Sequence, residues 1–327
     1  MSPLVSIAGL NVAFNGVPVL RGVDLALGKG EALGLVGESG SGKSVTWLAA
    51  LGLLPRHAKI SGSVQLDGRE LLGAPAAELD RVRGGRVAMI FQDPASALNP
   101  VLTIRKQLCE ALALHRDLQG GTVKAEAKRL LDLVGIPDAA RRLSAYPHEF
   151  SGGQVQRIMI AMALAGNPDL LIADEPTTAL DATIQAQILE LLSSIRREMS
   201  MAMVLISHDL GVVAENCDRV AVMYAGRIVE QAPSNQLFAD PVHPYAQGLI
   251  GALPPLDGPR RRLTAIPGTV PDPAHMPTGC AFAPRCTLAT HPCGLAAPTL
   301  APIANDRTVA CIRAEASRRA LLGIAAE

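Results

Sequence analysis

Residues Gly37-Glu38-Ser39-Gly40-Ser41-Gly42-Lys43-Ser44 fit the phosphate-binding pattern Gly-x4-Gly-Lys-Ser at every required position. Their setting matters more than the match. Leu33 to Val36 is an apolar run that reads as a buried strand, and Ser44 to Leu53 reads as a helix stopped by Pro55. Gly37, Gly40 and Gly42 let the backbone turn tightly and aim successive N–H groups at phosphate oxygens, and the helix N-terminus behind them adds partial positive charge. Lys43 then reaches the β and γ phosphates, Ser44 places its hydroxyl on Mg²⁺, and Glu38, Ser39 and Ser41 complete the cradle. A Gly/Ser-rich turn before an ordinary helix is the plain alternative, and the complete spacing in a strand-to-helix context outweighs it. The chain is therefore expected to be α/β.

With 327 residues the chain suffices for one large domain plus a smaller one or an extension. Lysine plus arginine and aspartate plus glutamate both number 30, so no global field favours nucleic acid. Hydrophobic residues make up 49%, yet no uninterrupted apolar run reaches the roughly 18 residues that would cross a bilayer. Met1 to Leu10 shows no basic segment followed by an apolar stretch and a small-residue cleavage site, which predicts a cytosolic, reducing location. The six cysteines then read as thiols or metal ligands rather than disulfides.

In chain order, Val5 to Phe14 and Val17 to Leu27 read as strands joined by a tight turn at Asn15-Gly16, and another strand pair surrounds Asp67-Gly68. They suggest an antiparallel sheet beside the phosphate-binding core. Phe14, at a strand end, is placed to stack on adenine or to pack as a core residue. Val87 to Phe91 is an apolar strand ending at Gln92-Asp93-Pro94, after which helical spacing takes over. Ile104, Leu108, Ala111 and Leu112 share one face, and Leu130, Leu131 and Val134 another.

Ser151-Gly152-Gly153-Gln154 opens a helix predicted to turn Ile158, Met159, Met162 and Ala163 inward; its hydroxyl cap and free N–H groups suit an anion, as they suit any capped turn. Leu170 to Pro176 reads as an apolar strand delivering Asp174 and Glu175 at its C-terminal end. Asp174 is placed to hold Mg²⁺ through water and Glu175 to deprotonate an attacking water. Asp181 precedes a helix with Ile184, Ile188, Leu191, Leu192 and Ile195 on its apolar face. The strand Met203 to Ile206 ends in Ser207-His208-Asp209, where His208 can touch a γ-phosphate or be a satisfied surface group. Val220 to Met223 and Arg227 to Glu230 form a hairpin across Ala225-Gly226.

The ordered set resembles the ATP-binding subunits of ABC transporters over about residues 4 to 235. It contains the Walker A loop, Gln92 as the Q-loop, Ser151-Gly152-Gly153-Gln154 as the signature, Asp174 and Glu175 as Walker B, Asp181 in the D-loop and His208 as the switch. The resemblance implies a P-loop NTPase (RecA-like) core with an antiparallel β subdomain, a helical signature subdomain at about 95–165, and a loop-rich, cysteine-containing C-terminal extension. It divides the chain into a nucleotide-binding domain, 1–235, and the extension, 236–327. It implies that Phe14 stacks on adenine, that Gln92 senses Mg²⁺ and water and faces a transmembrane partner, and that His208 contacts the γ-phosphate. It also implies that ATP with Mg²⁺ is sandwiched between the Walker loop of one subunit and the signature of a second, identical or paralogous, ATPase subunit. The signature carries Phe150 where many members have leucine, and both are apolar.

A narrower resemblance, to the dipeptide/oligopeptide permease branch, which also serves nickel and related solutes, rests on three segments. They are Gln92-Asp93-Pro94 with Leu98-Asn99-Pro100, Tyr146-Pro147-His148-Glu149-Phe150, and His243-Pro244-Tyr245 before a short helix ending at Pro254-Pro255. It implies an importer for peptides or related small solutes. Its partners would be two transmembrane permease subunits and, indirectly, an extracytoplasmic solute-binding protein. The ATPase would lie peripherally on the cytoplasmic face of the inner membrane. A nickel importer is the alternative within transport, and an exporter subunit fits less well. A non-transport ABC ATPase acting on DNA or ribosomes would need a second cassette or a coiled-coil insertion. A regulatory module without catalysis conflicts with Glu175 and His208.

Cys280, Cys286, Cys293 and Cys311 lie in a Pro- and Gly-rich segment with too few apolar residues to fold alone, so a metal centre would supply the missing stability. The region resembles the C-terminal part of the peptide-permease ATPases, in some of which four thiolates hold a [4Fe–4S] cluster. Tetrahedral zinc and unligated thiols stay open, because the spacing matches neither a zinc ribbon nor a ferredoxin. Cys109 and Cys217 read as packing residues.

Overall fold

The structure, a computed structural model, describes residues 2–92, 97–116, 118, 120–178, 180–253, 265–304 and 306–321. Asp93-Pro94 and Pro254-Pro255 lie outside them. The strands are β1 (Val5–Phe14), β2 (Val17–Leu27), β3 (Ala32–Val36), β4 (Ala58–Leu66), β5 (Arg69–Glu70), β6 (Val87–Ile90), β7 (Leu170–Asp174), β8 (Ala202–Ile206), β9 (Arg219–Tyr224), β10 (Arg227–Pro233), β11 (Ala301–Ala304) and β12 (Arg307–Val309). The helices are α1 (Lys43–Ala50), α2 (Ala76–Val82), α3 (Ile104–His115), α4 (Gly121–Leu133), α5 (Ala139–Arg142), α6 (Gly152–Ala163), α7 (Ala182–Met199), α8 (Leu210–Asn216), α9 (Ser234–Ala239), α10 (Pro244–Gly251) and α11 (Ala314–Leu321). Two compact units result: Met1–Leu27 with Ala32–Leu72 and Ser207–Glu327, and Gly28–Glu31 with Gly73–Ile206.

In the first unit, β1, β2, β4 and β5 form the expected antiparallel sheet in the order β2-β1-β4-β5. Its first hairpin turns at Asn15 and Gly16, both left-handed at φ 50° and 83°, as the right-handed twist of paired strands requires of a two-residue turn. The wholly buried β3 runs parallel to β9, and β9 pairs antiparallel with β10 across Ala225-Gly226. The extension is loop-rich over 265–300, and it also supplies strands. β12 adds to β10 with Glu230 opposite Val309, and β11 adds to β12, so the tail closes onto a sheet built some 70 residues earlier.

In the second unit, β6, β7 and β8 pair in parallel, in the order β6-β7-β8, and every residue of β7 and β8 is buried. Parallel strands covered on both faces read as continuous apolar runs, and these do. The helices α3, α4 and α6 bury Ile104, Leu108, Leu112, Leu130, Leu131 and Ile158. Two helix faces are rotated from expectation. In α6 the buried positions are Gln156, Ile158, Met159, Ile160 and Ala161, with Met162 and Ala163 half-buried. In α7 they are Ile188, Leu189, Leu192 and Ile195, with Ile184 and Leu191 half-buried. Packing partners, not periodicity alone, set which edge of an apolar stripe is covered.

Candidate functional site

The first unit carries the phosphate-binding loop. At Gly37 (φ 153°) a Cβ would sit 2.1 Å from the carbonyl oxygen of Met223, so only glycine allows the loop to pass β9 this closely. At Gly42 (φ 104°) a Cβ would meet Leu20 Cδ2 at 2.5 Å. The Gly226 N–H donates to the Ser41 carbonyl at 2.9 Å, and Thr46 Oγ1 donates to the Gly42 carbonyl at 2.9 Å. The Lys43 ammonium donates to the carbonyls of Gly37 (2.8 Å) and Glu38 (3.1 Å), curled over the loop it would share with a phosphate. Ser39 and Gly40 are exposed, and Ser44, at the start of α1, is half-buried. A loop of this form, followed by a helix N-terminus, is an anion cradle with a cation poised above it.

Phe14 is half-buried and meets the His57 ring edge-on at 6.0 Å, so it is not the core residue of the alternative reading. His208 is exposed at the end of β8, and the following Asp209 caps α8 by accepting from the N–H groups of Gly211 and Val212.

In the second unit, β7 ends at Asp174 rather than at Pro176. Glu175 takes a left-handed backbone, φ 49°, which turns the chain out of the sheet. A non-glycine residue held at positive φ is strained, and such strain gathers where a side chain must be aimed. The Glu175 N–H still donates to the Ile206 carbonyl at 2.9 Å. Its carboxylate accepts from Gln92 Nε2 at 2.8 Å and from Thr178 Oγ1 at 3.1 Å. The two residues that sequence assigned to water handling, 83 positions apart, are thus brought together. Asp174 beside them is buried, at 7% exposure, and Gln92 is exposed.

Ser151 caps α6. Its hydroxyl accepts from the Gln154 N–H at 3.4 Å while the Gln154 side chain accepts from the Ser151 N–H at 3.2 Å. This reciprocal box satisfies two end groups and leaves Ser151 and Gly152 exposed. Gly153 is needed for packing, since a Cβ there would meet Ile184 Cγ2 at 2.9 Å. Asp181 caps α7 by accepting from the N–H groups of Thr183 and Ile184.

Cys280, Cys286, Cys293 and Cys311 line one pocket with His243, Phe282 and Ala289. Burial pushes the Cys311 thiol up to about 11 and raises Cys280 and Cys286, whereas the Thr290 N–H holds Cys293 below the usual thiol range. Among the described residues, however, no group of three or more His, Cys, Asp or Glu side chains is arranged to hold a metal ion. The expected metal centre is thus not formed here: the four thiols share a pocket without making a ligand set. Cys217 is buried as a packing residue, and Cys109 is half-buried in α3.

Sequence reasoning missed the second layer of the loop. Arg285 donates to the Glu38 carboxylate with both terminal nitrogens, at 2.8 and 3.0 Å, and the Glu38 N–H donates to Tyr245 Oη at 2.8 Å. No spacing rule joins residues this far apart.

A profile described as ABC transporter matches residues 20–178, and one described as the oligopeptide/dipeptide transporter C-terminal region matches residues 229–293. A peptide import ATP-binding protein of Brucella melitensis is 52% identical over 297 residues, covering 89% of this chain and 90% of that protein. The oligopeptide transport ATP-binding protein OppD of Haemophilus influenzae is 49% identical over 300 residues, covering 90% of this chain and 93% of its own length. Among solved structures, cbiO1 from Clostridium perfringens, part of an ABC transporter complex, superposes with a TM-score of 0.65 at 26% identity, covering 73% of this chain and 92% of that one. A dimeric ATP-binding cassette in a post-hydrolysis state with ADP and phosphate superposes with a TM-score of 0.62 at 26% identity, over 70% of this chain and 98% of that one. Half-identity over nine-tenths of both chains, with a phosphate-binding loop and a β7 carboxylate pair of the required form, is decisive: the chain belongs to the ABC transporter family of ATP-binding proteins.

Proposed function

We propose that this chain hydrolyses ATP to drive an ABC importer of peptides or related small solutes. The observation that carries the reading is the loop of Gly37 to Ser44, with Lys43 curled over its carbonyls. The names of the relatives support peptide import. Lys43 binds the β and γ phosphates, and Ser44, Asp174 and Gln92 hold Mg²⁺ directly or through water. Glu175 takes the proton of the attacking water, and Gln92 and Thr178 hold its carboxylate in place. His208 contacts the γ-phosphate and Phe14 stacks on adenine. Ser151, Gly152, Gly153 and Gln154 of a second ATPase subunit close over the triphosphate, with Asp181 at that interface. Mg²⁺, when bound, neutralises the phosphate charge.

The protein acts peripherally on the cytoplasmic face of the membrane, against two permease subunits and downstream of a solute-binding protein. Among the described residues, no helix is long and apolar enough to cross a membrane. Phe91, Val101 and Leu114 are large apolar side chains left 45%, 76% and 73% exposed around Gln92 and α3, and they support this region as the permease's docking surface. The nucleotide-binding domain is assigned to 1–235 and the extension to 236–327. The four cysteines are assigned to a [4Fe–4S] cluster, a reading that rests on their shared pocket and on backbone N–H groups directed at each sulfur. Protein purified without oxygen should be brown with about four irons per chain; colourless protein with stoichiometric zinc, or with no metal, refutes it.

The test of the main reading is phosphate release by the chain reconstituted with its permease partners. Release should rise when peptide-loaded binding protein is added and should vanish in Lys43→Ala. An intact complex whose ATPase rate ignores the loaded binding protein overturns it.

A further inference from the structure

Glu38 stands second in the phosphate-binding loop, and each of its polar groups is held. Its carbonyl accepts from Lys43 at 3.1 Å, its N–H donates to Tyr245 Oη at 2.8 Å, and its carboxylate accepts both terminal nitrogens of Arg285. Two of these three holds come from beyond residue 240, out of the region matched to the oligopeptide-transporter C-terminal profile.

The guanidinium that grips Glu38 is itself immobilised. Arg285 has a side chain only 5% exposed; its Nε donates to the Pro267 carbonyl at 2.8 Å and its Nη1 also donates to Tyr224 Oη at 3.3 Å. It lies over the rings of Tyr224 and Phe282, at 5.8 and 5.9 Å from their centres. Tyr245 is likewise fixed, with its ring packed on Tyr224 at 4.5 Å and on Phe282 at 5.4 Å. A bidentate pair between a planar fork and a carboxylate specifies direction as well as distance, and here the fork cannot swing away.

We propose that Arg285 and Tyr245 are positioning residues for the phosphate-binding loop, so that the C-terminal extension sets how tightly this chain takes ATP. The inference rests on the nucleotide site proposed above and deepens it. Two physical effects act in the same direction. Fixing Glu38 holds the N–H groups of the loop in place before the phosphates arrive, so less ordering is left to oppose binding. Pairing its carboxylate also removes an uncompensated negative charge from a loop that must receive a polyanion.

The experiment measures the dissociation constant of Mg²⁺ATP for the full chain, by displacement of a fluorescent ATP analogue, and KM and kcat in the assembled transporter. Arg285→Ala should weaken binding about tenfold or more, as loss of a charged hydrogen-bond pair implies, and should raise KM more than it lowers kcat. Arg285→Lys should recover part of the loss, since it restores the charge but not the fork. Glu38→Gln combined with Arg285→Ala should bind more tightly than Arg285→Ala alone, because the unpaired charge is gone. A purely structural role for Arg285 does not produce that rescue. Tyr245→Phe, which keeps the ring cluster, gives a smaller loss in the same direction and serves if Arg285→Ala fails to fold. Wild-type affinity in folded Arg285→Ala or Tyr245→Phe, or no rescue in the double variant, overturns the proposal. The nucleotide-site reading is tested separately: wild-type chain must bind ATP and Lys43→Ala must not.

Discussion

Gln92 Nε2 donates to Glu175 Oε2 at 2.8 Å, joining the end of β6 to the turn after β7. The same carboxylate accepts from Thr178 Oγ1, so its direction is set from two sides while the backbone carries a positive φ. If Glu175 is the base proposed above, a carboxylate aimed this way would act on a water without first reorienting. Glu175→Gln should therefore lower kcat by about 10² to 10⁴-fold and leave an ATP-bound dimer that outlives the wild-type one on gel filtration. Gln92→Ala should lower kcat with little change in ATP affinity; steady turnover by Glu175→Gln contradicts the assignment of the base.

The Lys43 ammonium rests on carbonyls of its own loop, and a phosphate would take over that position with a full negative charge in place of two dipoles. Lys43→Ala should abolish retention of Mg²⁺ATP in equilibrium dialysis while the thermal midpoint of the nucleotide-free chain stays within a few degrees. Lys43→Arg should not restore binding, since the longer planar group does not fit a loop this tightly closed.

Arg307 in β12 and Glu230 in β10 form a buried pair at 2.7 Å, with side chains 5% and 0% exposed. The Glu230 carboxylate also accepts the backbone N–H groups of Val242 and His243, so strand, helix start and tail meet on one charge. Arg307→Ala leaves that carboxylate buried without its cation and should cost about 3–5 kcal/mol in urea unfolding. Replacing both residues by methionine should cost less than the single change.

The Glu126 carboxyl is pulled down to about 2, first by its hydrogen bonds from Arg129 and then by those from Arg116, on α4 and at the end of α3. In the unfolded chain it titrates near 4.5, the ordinary value. Between these pH values the unfolded chain binds a proton that the folded chain refuses, so stability is full above about 4.5 and falls as pH drops towards 2. Glu126→Gln should be less stable at neutral pH and should show a shallower acid slope of urea midpoints; an unchanged slope would remove Glu126 from the acid response.

Much of the candidate site was legible because its signals are local. The glycines of the phosphate-binding loop, the Ser151 cap and the apolar β7 ending at Asp174, with Glu175 next in the chain, each need only neighbouring residues to form, and spacing along the chain records them. The reach of β7 was misjudged by two residues because the left-handed turn at Glu175 has no compositional mark; glutamate is not a residue that ordinarily takes that conformation. The inward faces of α6 and α7 were shifted because an apolar stripe wider than the contact leaves the choice of edge to the partner.

The C-terminal extension shows where such reading stops. Its cysteines and turns were visible as a segment with too few apolar residues to fold alone, and in the structure it packs against the rest of its unit. Phe282 enters a ring cluster with Tyr224 and Tyr245, β12 extends β10, and Arg285 reaches Glu38. Order along the chain was enough to determine the phosphate-binding loop, the carboxylate strand and the family, since those depend on contiguous residues and fixed spacings. Only the folded chain decided that the tail holds that loop, because a pair 247 positions apart leaves no periodicity to read and exists solely where packing brings its two ends together.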